Sequence, residues 1–230
     1  MRAWSLRGRI TILGVMQYYG FTAGPYKTNC YLVTHEDKAF VIDPGMHALD
    51  RVEGLLNEHH VALEAVVLTH GHIDHTRNAG DLAQKYNCPV YIHAEDEFML
   101  EDGSGVSEES KVLFDAAHMV PIAEVRHLRD GEVLELIGLK FAIHHAPGHS
   151  PGSVLLVNED VAFTGDVLFR GSIGRTDLPH SEPAAMDASL RGPVWSLADN
   201  LAVLPGHGMT STMRQERGAN PFLLKVGRVM

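Results

Sequence analysis

The run Thr69-His70-Gly71-His72-Ile73-Asp74-His75 sets the strongest condition on what this chain can fold into. Three imidazoles and one carboxylate fall within six residues. That density of nitrogen and oxygen donors suits a first-row divalent cation, zinc foremost. His70 and His72 can point the same way from a locally extended loop, and Asp74 and His75 then leave on the other side. One ion cannot take all four donors from so short a loop and still keep a position open for substrate. Two neighbouring ions can, so the motif predicts a dinuclear site. The alternative is a His-rich surface loop, because the chain holds 15 His among 230 residues and a lone one would mean little.

Three later positions share a pattern with this run. His149 sits in Ala146-Pro147-Gly148-His149, Asp166 in Phe163-Thr164-Gly165-Asp166, and His207 in Leu204-Pro205-Gly206-His207. Short apolar runs at 65–68, 141–143, 161–163 and 201–204 precede the four donor segments. Each reads as a buried strand that hands a donor to the loop at its C-terminal end. Gly and Pro beside the donors let the backbone turn sharply and then hold it. A lone Gly-Asp after a strand is usually only a turn; the repetition carries the argument.

No Pro/Ser linker, charge block or low-complexity tract divides the chain, and its donors run from His70 to His207. Residues 1–230 therefore read as one domain. At 45% hydrophobic and 21% charged residues, the composition is that of a globular protein. A net charge of −10 argues against a nucleic-acid groove, which needs a basic stripe. Cys30 and Cys88 are the only cysteines and have no metal or redox spacing. They are expected as free thiols in a reducing, cytoplasmic setting. Residues 10–16, behind Arg2, Arg7 and Arg9, read as a strand rather than a secretory signal. No apolar run approaches the roughly 20 residues of a membrane span.

Further strands are expected at 30–34, 39–43, 65–69, 90–92, 153–157 and 161–164, with a hairpin over 132–136 and 139–145 and a strand at 201–204. Helices are expected at 48–60, 78–87, 94–100, about 109–117 and 184–190, and in the tail. Asp43-Pro44-Gly45 reads as a turn and 166–183 as a long loop. Each half thus holds strands, helix and strands, which predicts two packed sheets with helices outside.

These motifs resemble the metallo-β-lactamase fold superfamily. The T-H-x-H-x-D-H run is specific to it, and the similarity extends from Asn29-Cys30-Tyr31 to Asn220-Pro221-Phe222. The stretch Phe163-Thr164-Gly165-Asp166-Val167-Leu168-Phe169, followed by Gly171-Ser172-Ile173-Gly174-Arg175-Thr176-Asp177, is most similar to the hydroxyacylglutathione hydrolase (glyoxalase II)-like branch. The resemblance implies an α+β fold, a four-layer αβ/βα sandwich with the metals at one edge. It implies that His70, His72 and His149 hold one metal, that Asp74, His75 and His207 hold the other, and that Asp166 bridges them. The β-lactamases of this fold commonly place a Cys at a metal position, where this chain has none. Persulfide dioxygenases share the G-R-T-D segment and use one iron, which here would fall to His70, His149 and Asp166. Full-length glyoxalase II adds a C-terminal helical segment with basic residues for glutathione, whereas 23 residues follow His207 here. A different thiol carrier, or weak glutathione binding, is the expectation.

The implied reaction is hydrolysis of a hydroxyacyl thioester by a metal-bridging hydroxide, with two divalent ions, zinc foremost and iron or manganese also suited. Asp74 would ligate one ion and orient the nucleophile, and Asp166 would fix the metal–metal distance. A thiol of pKa about 8.5 leaves without a dedicated general acid. Arg175 either holds a substrate carboxylate or pairs with Asp177. Tyr26, with Lys27, lies in a Gly/Pro-containing loop that is either a substrate-binding lid or plain surface. Lactone or other ester hydrolysis and a non-catalytic binding module are the remaining readings, and the sequence does not indicate an oligomeric state. The complete donor set argues against a binding module.

Overall fold

The computed structural model describes residues 4–7 and 16–228. The strand expected at 10–16 falls, except for Met16, outside the described residues. Seven strands form the first sheet in chain order: β1 (Trp4–Arg7), β2 (Gln17–Ala23), β3 (Thr28–His35), β4 (Lys38–Ile42), β5 (Ala62–Val67), β6 (Val90–His93) and β7 (Val125–Leu128). The first four are antiparallel and the last four parallel. Parallel neighbours need crossovers. Helix α1 (Leu49–His59) joins β4 to β5, and α2 (Ile73–Thr76) and α3 (Ala79–Tyr86) lie between β5 and β6. On α1 the spacing of Val52, Leu55 and Leu56 turns one apolar stripe inward. It stops where His60 takes a left-handed conformation. Helices α4 (Met99–Asp102) and α5 (Glu108–Leu113) precede β7.

The second sheet runs β15-β14-β11-β10-β9-β8, built from β8 (Val133–Leu136), β9 (Leu139–His145), β10 (Val154–Val157), β11 (Val161–Gly165), β14 (Ala202–Pro205) and β15 (Ser211–Thr212). Strands β12 (Leu168–Phe169) and β13 (Ser172–Ile173) form a separate ribbon. Helix α6 (Pro183–Ser189) lies on the crossover from β11 to the parallel β14, and α7 (Met213–Ala219) and α8 (Pro221–Gly227) form the tail.

The inner faces of the two sheets meet in one core. Tyr31, Phe40 and Val67 from the first sheet pack with Phe141, Phe163 and Leu204 from the second. The Phe40 and Phe141 rings meet edge-on at 5.5 Å, and Tyr31 and Phe163 at 5.3 Å. Two further apolar clusters fill the outer faces. Val52, Leu55 and Leu82 lie over the first sheet, and Met186, Leu190 and Leu223 over the second. The order helix, sheet, sheet, helix is the four-layer arrangement expected from the sequence.

Several elements differ from the sequence expectation. Strands β1, β2, β7 and β15 fall outside the strands expected from the sequence, and the ribbon β12–β13 lies inside the expected loop 166–183. The helix expected at 94–100 divides into a tight turn at Ala94–Asp96 and α4. The one expected near 109–117 ends at Leu113, with Asp115 in a left-handed conformation that an α-helix cannot continue through. The helical tail is as expected.

Candidate metal centre

The centre forms where parallel strands end side by side. Register pairs Ile42 with Val67 and Gly165 with Pro205, so the loops after β4 and β5 leave one sheet together, and those after β11 and β14 leave the other. The loop after β9 supplies His149. A hydrogen bond from Val154 N to Thr69 O, 2.9 Å, ties the two sheets beside the cluster. His72 stands at the N-terminus of the single turn of α2, which carries Asp74 and His75, and the His75 ring comes within 4.2 Å of the His70 ring.

All seven donors read from the sequence come together. His72 Nδ1 lies 2.9 Å from His149 Nε2, and both join His70 in one triad. Asp74, His75 and His207 form a second, with His207 Nε2 3.1 Å from Asp74 Oδ2 and 3.3 Å from His75 Nε2. Asp166 stands between them. Its Oδ2 lies 3.5 Å from His149 Nε2 and from His207 Nε2, and its Oδ1 lies 3.3 Å from His75 Nε2. Four nitrogen or oxygen atoms around one tetrahedral ion at bond lengths of 2.0–2.1 Å sit about 3.3 Å apart. The separations here bracket that spacing. His70 Nε2 is buried and has no hydrogen-bond partner. An orphaned imidazole nitrogen aimed among other donors costs free energy unless a cation satisfies it. The donor set therefore fits two divalent ions.

Electrostatics separate the two triads. Burial pushes His70 well below the usual imidazole range, and the neighbouring imidazoles add to it. Burial, then His149, pushes His72 down to about 3. Burial acts on His75 in the same sense, but Asp74, Asp166 and Asp43 outweigh it and hold its pKa well above the usual value. His207 is raised for a similar reason, with Asp166 the leading carboxylate against burial. Burial raises Asp74 and Asp166, yet His75 and His207 overcome it and keep both below the usual carboxylate range.

The sequence reading missed the residues that orient the donors. Asp43, expected only as a turn residue, accepts from Thr69 N at 2.8 Å, Thr69 Oγ1 at 2.6 Å and His75 Nδ1–H at 2.9 Å. Its oxygens are thereby engaged, which makes it an anchor for His75 rather than a ligand. It follows an apolar strand as the donors do, and that pattern could have found it. Asp96 is fully buried and accepts from Gly71 N, Ser150 Oγ and Gly152 N. It thus pins the His70–His72 loop to the His149 loop. Its setting among Glu95 and Glu97 looks like exposed helix, and no sequence signal marked it. Arg175 O accepts from His149 Nδ1–H at 2.9 Å, which turns Nε2 of that ring into the cluster.

Tyr26 and Arg175 both line a cleft of about 810 Å³ above the donors. Tyr26 Oη lies 2.9 Å from Ser110 Oγ, and its ring packs edge-on to Phe114. The Arg175 guanidinium pairs with Asp177.

Residues 23–207 match the metallo-beta-lactamase superfamily. The chain is 36% identical over 203 residues to the hydroxyacylglutathione hydrolase GloC of Haemophilus influenzae, a match that covers 86% of this chain and 93% of that one. The crystal structure of the B3 metallo-beta-lactamase BLEG-1 superposes with a TM-score of 0.80 at 33% identity, over 90% of this chain and 99% of that one. TTHA1623 in a di-iron-bound form gives a TM-score of 0.76 at 36% identity, over 89% and 99%.

Proposed function

The chain belongs to the metallo-beta-lactamase superfamily, and from that premise we propose that it is a metal-dependent hydrolase of a hydroxyacyl thioester carried by a small thiol. The observation that carries the reading is the Asp166 carboxylate standing between two donor triads. In this proposal His70, His72 and His149 hold one cation, Asp74, His75 and His207 the other, and Asp166 bridges. Divalent cations bound there supply a water acidified toward a pKa of about 7 and a Lewis acid for the acyl carbonyl. The metal is zinc, or iron as in the di-iron form of TTHA1623.

The residues do the rest. Asp74 Oδ2 accepts from Thr28 Oγ1 at 2.9 Å, which fixes the carboxylate so that it can orient the attacking water. His75 is held in place by Asp43 and His149 by the Arg175 carbonyl. A thiolate leaving group needs little protonation, so no general acid is required. We read the chain as one domain, because both sheets deliver donors to one cluster. No helix among the described residues is long and apolar enough to cross a membrane. A reducing, cytoplasmic setting fits the two free, buried cysteines.

The test is thioester cleavage without oxygen, with S-lactoylglutathione first, run beside oxygen uptake with glutathione persulfide. Oxygen-independent thiol release that is lost in His72→Ala supports the hydrolase. Sulfite formation with oxygen uptake, and no thioester cleavage, overturns it in favour of a mononuclear dioxygenase. The likeness to BLEG-1 favours lactam hydrolysis as a second reading, and a β-lactam belongs in the same panel.

A further inference from the structure

The ribbon β12–β13 lies between two residues of the centre. Asp166 comes just before it, and Arg175, whose carbonyl accepts from His149 Nδ1–H, just after. Along the ribbon Phe169, Ser172 and Ile173 line the cleft, and the Phe169 ring stands edge-on to that of His207 at 6.0 Å. Strands this short do not hold themselves. The base of the ribbon has its own fastenings. Thr164 Oγ1 donates to Leu168 O at 2.8 Å, and Gly174 sits so close to Asp166 that a Cβ there would meet Asp166 O at 1.8 Å.

The tip is held by the tail. Glu216, on α7, is a buried carboxylate. Its Oε2 accepts from Gly171 N at 2.7 Å and from Asn220 Nδ2 at 2.9 Å, and its Oε1 accepts from Ser211 Oγ. Asn220 is fully buried, and its Nδ2 also lies 3.3 Å from Phe169 O and 3.0 Å from Ser172 O. Two side chains thus gather a carbonyl from each strand and the amide of the turn between them. Asn220 Oδ1 meanwhile accepts from Phe222 N at 3.0 Å and caps α8. A cap needs only an acceptor, which Ser or Asp supplies as well. Donation to the ribbon is the part that requires an amide.

We propose that Glu216 and Asn220 are positioning residues for ligand binding: they clamp the tip of the ribbon, so that Phe169 and Ile173 stand as a fixed apolar wall beside the donor cluster. The proposal rests on the hydrolase reading insofar as the ligand binds in this cleft over bound metal. Because the base is fastened separately, loss of the clamp displaces the wall and spares the metal.

The experiment compares two thiols, each of which binds a divalent ion through sulfur. Benzyl mercaptan also lays a ring against the wall, and 2-mercaptoethanol does not. The ratio of their affinities for the zinc-loaded protein, from calorimetry, cancels the metal contact. Asn220→Ser keeps the cap of α8 and removes the donor to the ribbon. It lowers the ratio about tenfold, the scale of one lost apolar fit, at unchanged zinc content. Glu216→Ala, which frees Gly171 N, lowers the ratio in the same direction. Glu216→Gln restores it, because the amide oxygen replaces Oε2 and the NH2 faces Ser211 Oγ, which can accept. If Asn220→Ser does not fold, the two Glu216 variants decide. In turnover of S-lactoylglutathione the clamp variants raise KM and keep kcat. An unmoved ratio in the folded variants overturns the proposal, as does an equal fall in Glu216→Gln, or a fall in kcat with KM unmoved. If the wild type cleaves no thioester while the ratios behave as stated, the hydrolase reading falls and the clamp stands. Cleavage with unmoved ratios does the reverse.

Discussion

Asp43 decides which edge of His75 faces the cluster. By accepting from Nδ1–H it fixes the tautomer, so that Nε2, 3.3 Å from Asp166 Oδ1, is the nitrogen that gives up its proton and presents a lone pair to a cation. Asp43→Ala would free the ring and strand Thr69 N, whose acceptor is buried beside it. The affinity for one of the two cations should fall about 10- to 100-fold, the usual effect of losing a hydrogen-bond partner of a ligand. Competition with a chelator would read it, and an affinity equal to wild type at both sites would contradict the role. Gly206 makes a steric case. A Cβ there would lie 2.2 Å from Asp166 Oδ1 and 2.6 Å from His75 Cε1. Neither group can retreat without leaving its partners. Gly206→Ala should therefore lower the metal content of the purified protein while the far-ultraviolet circular dichroism is kept. Full loading in that variant would show that the bridge tolerates displacement.

At the scale of elements, the donors depend on loops being held across the sandwich, and Asp96 is the fastening between two of them. Asp96→Ala leaves Gly71 N, Gly152 N and Ser150 Oγ buried without that acceptor. At about 1–3 kcal/mol for each orphaned group, partly relieved by Ser150 turning to Ser153, the loss should be about 3–5 kcal/mol in urea unfolding. A loss under about 1 kcal/mol would mean that the loops hold without it. What was legible in the sequence follows the same division. Each donor stood after a buried apolar strand and beside a Gly turn, so the cluster and both sheets could be read. Strand β7, Val-Arg-His-Leu, is a mostly exposed edge whose side chains hide its alternation. Strands β12 and β13 have two residues each, too few to show a period. Asp96 acts through tertiary contacts with residues 25 and 54–56 positions away, which no local pattern records.

At the scale of the whole molecule, the fold buries a knot of imidazoles and carboxylates in its interior edge, with His70, His72 and His75 each at most 1% exposed. Such a cluster costs stability unless its charges are matched. Any ligand bound only by the native state then stabilises it by mass action, so chelation should lower the melting temperature and added metal should restore it. The two triads should differ in how protons compete with that metal. His75 and His207 have raised pKa values in the metal-free protein, because carboxylates outweigh burial. They keep a proton to higher pH than an ordinary imidazole, and a cation must displace it to reach Nε2. His70 and His72 have lowered values, because burial disfavours the charged form. They are neutral near pH 7 and have no proton to give up. Loading at Asp74, His75 and His207 should therefore release protons, and that ion should be the first lost as pH falls. Without metal, the favourable pairing of His75 with its carboxylates is fully present below its unfolded value of about 6.5 and fades as pH rises through its raised folded value. The metal-free protein should then lose stability toward alkaline pH more than the loaded one. Calorimetric titration at pH 7 in two buffers of different ionisation heat counts the protons. Release confined to one of two binding events supports this division. Equal release at both, or none at either, would show that the triads are electrostatically alike.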